Sequence, residues 1–94
     1  MQRRLLPNTP ALLAFDALAR TGSFTAAARE LGQTQGAISR QVAQLEGQLG
    51  VVLVQRGQGL SEAGQAYARA ARAALEVLGQ GAMEALGQAP DHGL

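Results

Sequence analysis

The feature that most constrains the fold is a link of only two residues, Gln33 and Thr34, between two stretches of helical periodicity. The stretch before the link ends at Gly32, a residue type that commonly terminates helices. The stretch after it carries one apolar stripe at intervals of four, three and four residues: Ile38, Val42, Leu45 and Leu49. A link this short predicts a helix-turn-helix whose second helix covers about 35–49.

A further helix is predicted before this pair. Thr9 and Pro10 are typical of an N-cap followed by proline at the first helical position, and apolar residues then recur at helical spacing over about 10–20. The short helix that follows has two candidate caps, Ser23 and Thr25, because both residue types can satisfy free amides at a helix start. Together with the helix at 35–49, these segments predict a three-helix core.

A hairpin and a long helix are predicted after the core. Val51 to Val54 is apolar and rich in β-branched residues, Arg56 to Gly59 is turn-like, and Leu60 can pair back, which predicts a small β-hairpin. Ser61 is the predicted cap of an alanine-rich helix that runs to about Leu86. The predicted fold class is therefore mainly α: a winged helix-turn-helix followed by a long C-terminal helix.

Residue types that are missing exclude several kinds of chemistry. The absence of cysteine excludes a disulfide scaffold, a thiolate zinc site and cysteine catalysis. The single histidine, His92, stands beside Asp91 near the end of the chain and is interpreted as solvent-exposed. No glycine loop has P-loop spacing, and Glu46 and Glu62 show no pairing suited to acid–base catalysis. We therefore expect no enzyme activity, no metal and no cofactor.

The charge of the chain is unevenly distributed. The net charge is only +1, yet residues 1–60 hold six arginines and three acidic residues, whereas residues 61–94 hold two arginines and four acidic residues. A basic excess in the first 60 residues fits the neutralisation of phosphates, and an ordinary solvated surface has the same composition. No apolar run reaches the roughly 18 residues of a membrane span and no signal peptide opens the chain, so we expect a cytoplasmic protein.

The second helix of the pair has a small and polar face. At about 100° per residue, the positions opposite the apolar stripe are Gly36, Arg40, Ala43 and Gly47, with Ser39 and Gln44 beside them. Small residues permit close approach to base edges, Arg40 can reach a guanine or a phosphate, and the amides of Gln35 and Gln44 can pair with adenine. Thr34 and the free amides at the helix start suit a phosphate. These residues predict double-stranded DNA as a partner.

Five segments in matching order and spacing carry a resemblance to a known family: Gly22–Ala28, Thr34–Val42, Leu45–Glu46, Leu49–Val51 and Glu62–Gly64. They are similar to the N-terminal domain of LysR-type transcriptional regulators over about Leu6 to Tyr67. Linked segments at matching intervals are a far more specific signal than a lone helix-turn-helix. The resemblance implies sequence-specific DNA binding for transcription regulation in bacteria.

The resemblance also implies which residues contact DNA. Family positions that touch bases or phosphates match Gln35, Gly36, Ser39 and Arg40. Family positions that contact the DNA backbone match Thr25 and Thr34, and Arg56 matches the arginine that begins the wing. The stretch from Arg56 to Ser61 is about three residues shorter than is usual in the family, so we expect Arg56 to neutralise a phosphate rather than enter the minor groove.

The alanine-rich helix carries small and apolar residues near heptad spacing: Tyr67, Ala71, Ala74, Leu78 and Ala85. A helix of about 25 residues is too long for so small a domain to cover, so we expect a homodimer through this seam. Packing of the seam against the first helix of its own chain is the alternative. The resemblance further implies tetramers and a ligand-sensing domain after this helix, so a small-molecule effector is expected only in a longer form.

Two functions and one division of the chain follow. The leading function is sequence-specific DNA binding by a homodimer. The alternative is a protein–protein assembly module with weak or no DNA binding, which the low net charge and the short wing favour. We divide the chain into a winged helix-turn-helix domain at 1–60, a linker and dimerisation helix at 61–87, and a disordered tail at 88–94.

Overall fold

The computed structural model describes residues 2–88 of the chain. Its elements in chain order are a 3₁₀ helix at Arg3–Leu5, α1 at Thr9–Thr21, α2 at Phe24–Leu31, α3 at Gln35–Leu49, β1 at Val54–Gln55, β2 at Gly59–Leu60 and α4 at Glu62–Gln88. The predicted fold class is confirmed, because three short helices are followed by an antiparallel hairpin and one long helix.

The first helix starts one residue earlier than expected. Asn8, and not the predicted Thr9, is the N-cap: its Oδ1 accepts a hydrogen bond from the amide of Ala11 at 2.8 Å. Asn8 has the extended backbone, φ −75° and ψ 164°, that a cap requires, so Thr9 is already helical. Pro10 then occupies the second helical position, where a backbone N–H would have no acceptor within the helix, so its absence in proline costs no hydrogen bond.

The next two helices begin and end on local chemistry. Ser23, rather than Thr25, caps α2, and its Oγ accepts from an amide three residues ahead at 3.1 Å. Thr34 caps α3 in the same way, as expected. The residues that end α1, α2 and α3 have left-handed backbone, with φ between 66° and 75°, and are Gly22, Gly32 and Gly50. Glycine adopts that conformation without steric cost.

The hairpin is shorter than predicted. The expected strand at 51–54 forms only at Val54–Gln55, which pairs with Gly59–Leu60. Leu53 stands opposite Ser61 in the same register, but this pair makes only one of its two ladder bonds: the amide of Ser61 donates to the carbonyl of Leu53. The Leu53 amide donates instead to the carboxylate of Glu46, and the Ser61 carbonyl accepts from Gln65 in α4, so the ladder ends at Val54.

Two adjoining clusters form the core. The cluster under the helix-turn-helix consists mainly of small residues: Ala14, Ala17, Leu18, Ala27, Ala28, Ile38 and Val42. The second cluster joins α1, α3, the segment before β1 and α4: Ala11, Phe15, Leu45, Leu53 and Ala71. Small side chains in the first cluster allow the three helices to approach one another closely.

The beginning of α4 belongs to the core. Ser61 caps it by accepting from the amide of Gly64 at 2.9 Å, as predicted from the sequence. Tyr67 packs on Phe15 with ring centroids 5.7 Å apart. The helix continues to Gln88, two residues beyond the predicted end, and the remainder of the predicted disordered tail lies outside the described residues. In the part of the chain that the structure describes, no helix is long and apolar enough to cross a membrane.

Candidate nucleic-acid interface

One face of α3 fills the core and the opposite face is open. Ile38, Val42 and Leu45 are buried. The predicted contact residues of this helix are all exposed: Gln35, Gly36, Ser39, Arg40 and Gln44. The apolar stripe therefore fixes which side chains face outward.

At the start of α3, Arg40 lies beside a residue that has no side chain. A Cβ atom built on Gly36 would be 3.5 Å from Nη1 of Arg40, so the guanidinium covers the first turn of the helix. The hydroxyl oxygen of Thr34 accepts a hydrogen bond from the amide of Ala37 at 3.1 Å. The first turn thus combines a cation, a hydroxyl and free amides, which together suit an anionic group.

The turn between α2 and α3 brings two predicted contact residues together. Nε2 of Gln35 donates a hydrogen bond to Oγ1 of Thr25, and both residues are exposed. Because the Thr25 oxygen accepts this bond, the Thr25 hydroxyl proton is free to donate outward. This link orients the Gln35 amide at the entrance to the second helix.

A groove of about 580 Å³ separates α3 from the hairpin. Its lining includes Gln35, Gly36 and Ser39 from α3 and Arg56 and Gly57 from the hairpin. The structure therefore gathers three predicted contacts of α3 and the predicted wing arginine around one depression. The other four predicted contacts are exposed outside that lining: Thr25, Thr34, Arg40 and Gln44.

The arginines divide into paired and unpaired groups. Arg20 binds both Asp16 and Glu30, and Arg72 binds Asp16 at 3.2 Å. The hydrogen bonds to Glu30 and then Asp16 raise the pKa of Arg20 above its ordinary value. Within residues 2–88, Arg40 and Arg56 form no ion pair. Their charges are therefore available to a ligand.

Sequence reasoning missed the structural use of two carboxylates. Glu46 accepts hydrogen bonds from the amides of Leu53 and Val54, and Asp16, although buried, binds an arginine from α1 and another from α4. The four-residue spacing of Asp16 and Arg20 on one helix was a usable signal. The partners of Glu46 lie in a loop, and no periodicity indicates such a contact.

The predicted seam of α4 divides into two parts. Ala71 is buried in the core of its own chain and Tyr67 is half-buried against it. Both residues thus make the intrachain contact that was weighed as the alternative. The other three seam residues are exposed: Ala74, Leu78 and Ala85.

These features define a class of protein: a winged helix-turn-helix domain whose second helix presents a polar and cationic face beside a short hairpin. The model of the family described as "Bacterial regulatory helix-turn-helix protein, lysR family" matches residues 10–65. The chain belongs to the lysR family, which confirms the resemblance seen in its sequence.

Proteins similar to this chain include bacterial transcriptional regulators. An uncharacterized HTH-type transcriptional regulator of Mycobacterium tuberculosis (strain H37Rv) is 44% identical over 75 residues, which cover 77% of this chain and 24% of the relative. The glycine cleavage system transcriptional activator of Escherichia coli K12 is 49% identical over 70 residues, which cover 71% of this chain and 23% of the relative. The chain therefore spans about a quarter of the length of these proteins.

Similar solved structures include complexes with DNA. The CbnR_DBD–DNA complex has a TM-score of 0.76 at 37% identity and covers 85% of this chain and 95% of that one. Vibrio fischeri DarR in complex with DNA has a TM-score of 0.79 at 27% identity and covers 87% of this chain and 29% of that one. In the first case the similarity therefore extends over nearly the whole of the DNA-bound chain.

Proposed function

We propose that this chain binds double-stranded DNA in a sequence-specific manner and regulates transcription. The observation that carries the proposal is the face of α3, on which Gly36, Ser39 and Arg40 are exposed while Ile38 and Val42 anchor the helix in the core. The major groove of B-DNA is wide enough to admit such a helix. Two similar solved structures are DNA complexes, which supports this assignment.

The proposed contacts fall into two groups. Gln35, Gly36, Ser39, Arg40 and Gln44 are assigned to base edges and adjoining phosphates. Thr25, Thr34 and Arg56 are assigned to the DNA backbone, because a hydroxyl donor or an unpaired guanidinium binds phosphate without reading sequence. The proposed activity is binding without catalysis, and it takes place in the bacterial cytoplasm, where the chromosome lies.

We also propose that two copies pair through α4. At 1.5 Å per residue, the 27 residues of α4 extend about 40 Å, whereas the 13 residues of α1 extend about 20 Å. The stripe that packs on α1 continues beyond it at intervals of four, three, four and three residues: Ala71, Leu75, Leu78, Ala82 and Ala85. Leu78 is 65% exposed and Leu86 is 66% exposed, so a second α4 offers the cover that the chain itself lacks.

DNA binding is tested with operators selected from random duplexes, followed by fluorescence anisotropy at several salt concentrations. Arg40→Ala is expected to weaken binding to the selected site by more than about 10-fold, because a bidentate base contact contributes about 1–3 kcal/mol and a dimer loses one in each protomer. Arg69→Ala is the matched control, because it removes the same charge at an exposed residue that lies away from α3, in the groove between α1 and α4. Equal losses for the two variants, or no wild-type binding at low salt, would contradict the proposal.

Pairing through α4 is tested by sedimentation equilibrium. Leu78→Glu places a charge on the stripe and is expected to yield monomers. Val77→Glu is the control, because Val77 is equally exposed at 67% but points about 100° away around the helix. Dimers in both variants would contradict pairing along this stripe. Dimers without DNA affinity would instead select the alternative function, an assembly module.

The assignments for a longer form rest on the family alone. Effector binding and assembly into tetramers are proposed for a ligand-sensing domain after α4, as the resemblance implies.

A further inference from the structure

The wing of this chain is too small to hold its own position. Each strand has two residues, paired as Val54 with Leu60 and Gln55 with Gly59. The tip between them is Arg56, Gly57 and Gln58, and Gly57 has left-handed backbone at φ 75°. An isolated two-stranded hairpin is at best marginally stable, even when it is longer than this one. The position of the tip therefore depends on what holds the base of the hairpin.

A single carboxylate of α3 holds that base. Oε2 of Glu46 accepts hydrogen bonds from the amide of Leu53 at 2.7 Å and from the amide of Val54 at 3.0 Å. Hydrogen bonds to an ionised acceptor are shorter and stronger than bonds between neutral groups. Glu46 also lines the groove between α3 and the hairpin. The helix assigned to base reading and the first strand of the wing are thus joined directly through this residue.

The start of α4 holds the same segment from the other side. The amide of Ser61 donates to the carbonyl of Leu53 at 2.9 Å, and its hydroxyl donates to the carbonyl of Val52 at 2.6 Å. The Leu53 side chain is 1% exposed. The backbone at 52–54 is therefore fixed both to α3 and to α4, and the tip of the wing projects from a rigid base.

We propose that Glu46 is a positioning residue for the wing: it fixes the distance between α3 and Arg56, so that Arg56 reaches a phosphate beside the groove that α3 enters. This inference rests on the proposed DNA binding. Charge alone makes the opposite prediction, because removing a carboxylate from a DNA-facing groove should strengthen attraction to phosphates. The two amide donors give this carboxylate a structural role that opposes the electrostatic cost.

The test is the salt dependence of binding to the selected duplex. Each phosphate contact contributes about 0.9 to the slope of log K against log salt concentration, so Arg56→Gln in both protomers should reduce that slope by about two. Glu46→Ala is expected to reduce the slope by the same amount, and the double variant by no more than either single one. Glu46→Gln keeps an acceptor oxygen at the same reach and should restore part of the slope.

Two controls separate positioning from charge and from stability. Glu62→Gln makes the same change in charge at an exposed residue of α4 and should leave the slope unchanged. Asn8→Ala removes the cap of α1, far along the chain from the wing, and should lower stability without changing the slope. Additive effects of Glu46→Ala and Arg56→Gln, or a Glu46→Ala slope equal to that of Asn8→Ala, would overturn the inference.

A second measurement tests the inference if Glu46→Ala does not fold. In Glu46→Gln, whose neutral oxygen is a weaker acceptor than the carboxylate, backbone ¹⁵N order parameters at Gly57 and Gln58 should fall relative to those of α3. A reduced slope in this variant with unchanged order parameters at the tip would overturn the inference. Absence of wild-type DNA binding under all salt conditions would instead refute the proposed function and remove this inference with it. Normal binding with an unaffected slope refutes the positioning role alone.

Discussion

Replacing Gly64 by alanine tests the closest approach between α4 and the rest of the molecule. An added Cβ atom would lie 2.0 Å from the carbonyl oxygen of Leu53 and 2.9 Å from its carbonyl carbon. Ordinary carbon–oxygen contacts are about 3.3 Å, so the start of α4 must withdraw by roughly 1.3 Å. A shift of that size stretches the bonds from Ser61 to Val52 and Leu53, which are 2.6 and 2.9 Å long.

The expected loss of stability can be worked from these contacts. Overpacking costs about 1–3 kcal/mol, and each weakened hydrogen bond costs about 1 kcal/mol. Alanine stabilises a helix by up to about 1 kcal/mol relative to glycine, which offsets part of this loss. Gly64→Ala should therefore lower the free energy of unfolding by about 2–4 kcal/mol, which corresponds to a Tm decrease of about 10–30 °C for a chain of this size.

Urea and thermal denaturation at one protein concentration provide the assay. Gly79→Ala is the control, because it lies in the same helix and an added Cβ would meet no atom within 4 Å. That variant should be more stable than wild type by up to about 1 kcal/mol. Equal stabilisation by both substitutions would refute the reasoning, since it would mean that the Leu53 carbonyl does not press against α4.

Three further predictions concern stability. Asn8→Ala should lower the free energy of unfolding by about 1 kcal/mol, whereas Thr9→Ala should change it by less than about 0.5 kcal/mol; urea denaturation distinguishes them, and a larger effect at Thr9 would contradict the observed cap. Asp16→Asn should cost about 2 kcal/mol because it removes the buried charge that pairs with Arg20 and Arg72. Glu30→Gln at an exposed pair should cost less than about 1 kcal/mol, and urea denaturation of both variants measures the difference. Burial raises the pKa of Tyr67 above its ordinary value of 10.0, because it favours the neutral phenol in the folded state. The stability that Tyr67 contributes is therefore fully present below about pH 10 and is lost as the pH rises through the folded pKa. Thermal unfolding of Tyr67→Phe should lack this alkaline decline.

The parts of the fold that depend on local chemistry could be predicted from the sequence. The ends of α2 and α3 follow from Gly32, Thr34 and Gly50, whose roles depend only on neighbouring backbone. The cap of α1 was misplaced by one residue because Asn8 and Thr9 both have suitable side chains, and the choice depends on which backbone is extended. Periodicity also predicted the exposed face of α3, because a single stripe fills the core.

Contacts between distant segments could not be predicted in this way. The expected strand at 51–54 was too long because the Leu53 amide bonds to Glu46 and the Ser61 carbonyl opposite it accepts from Gln65. In the same way, the burial of Asp16 depends on Arg72, which lies 56 positions later in the chain. Pattern reasoning identifies which residues are apolar or charged, whereas the tertiary arrangement decides which charges meet.

The burial of Ala71 has a consequence for building hybrid regulators. Ala71 lies in the same core cluster as Phe15 and Leu45, so the first ten residues of α4 are part of the unit that folds with α1. A chimera joined at the start of α4 would leave that cluster with side chains from two different parents. Junctions placed after Ala71, where the helix leaves α1, would keep each parent's complementary surfaces intact.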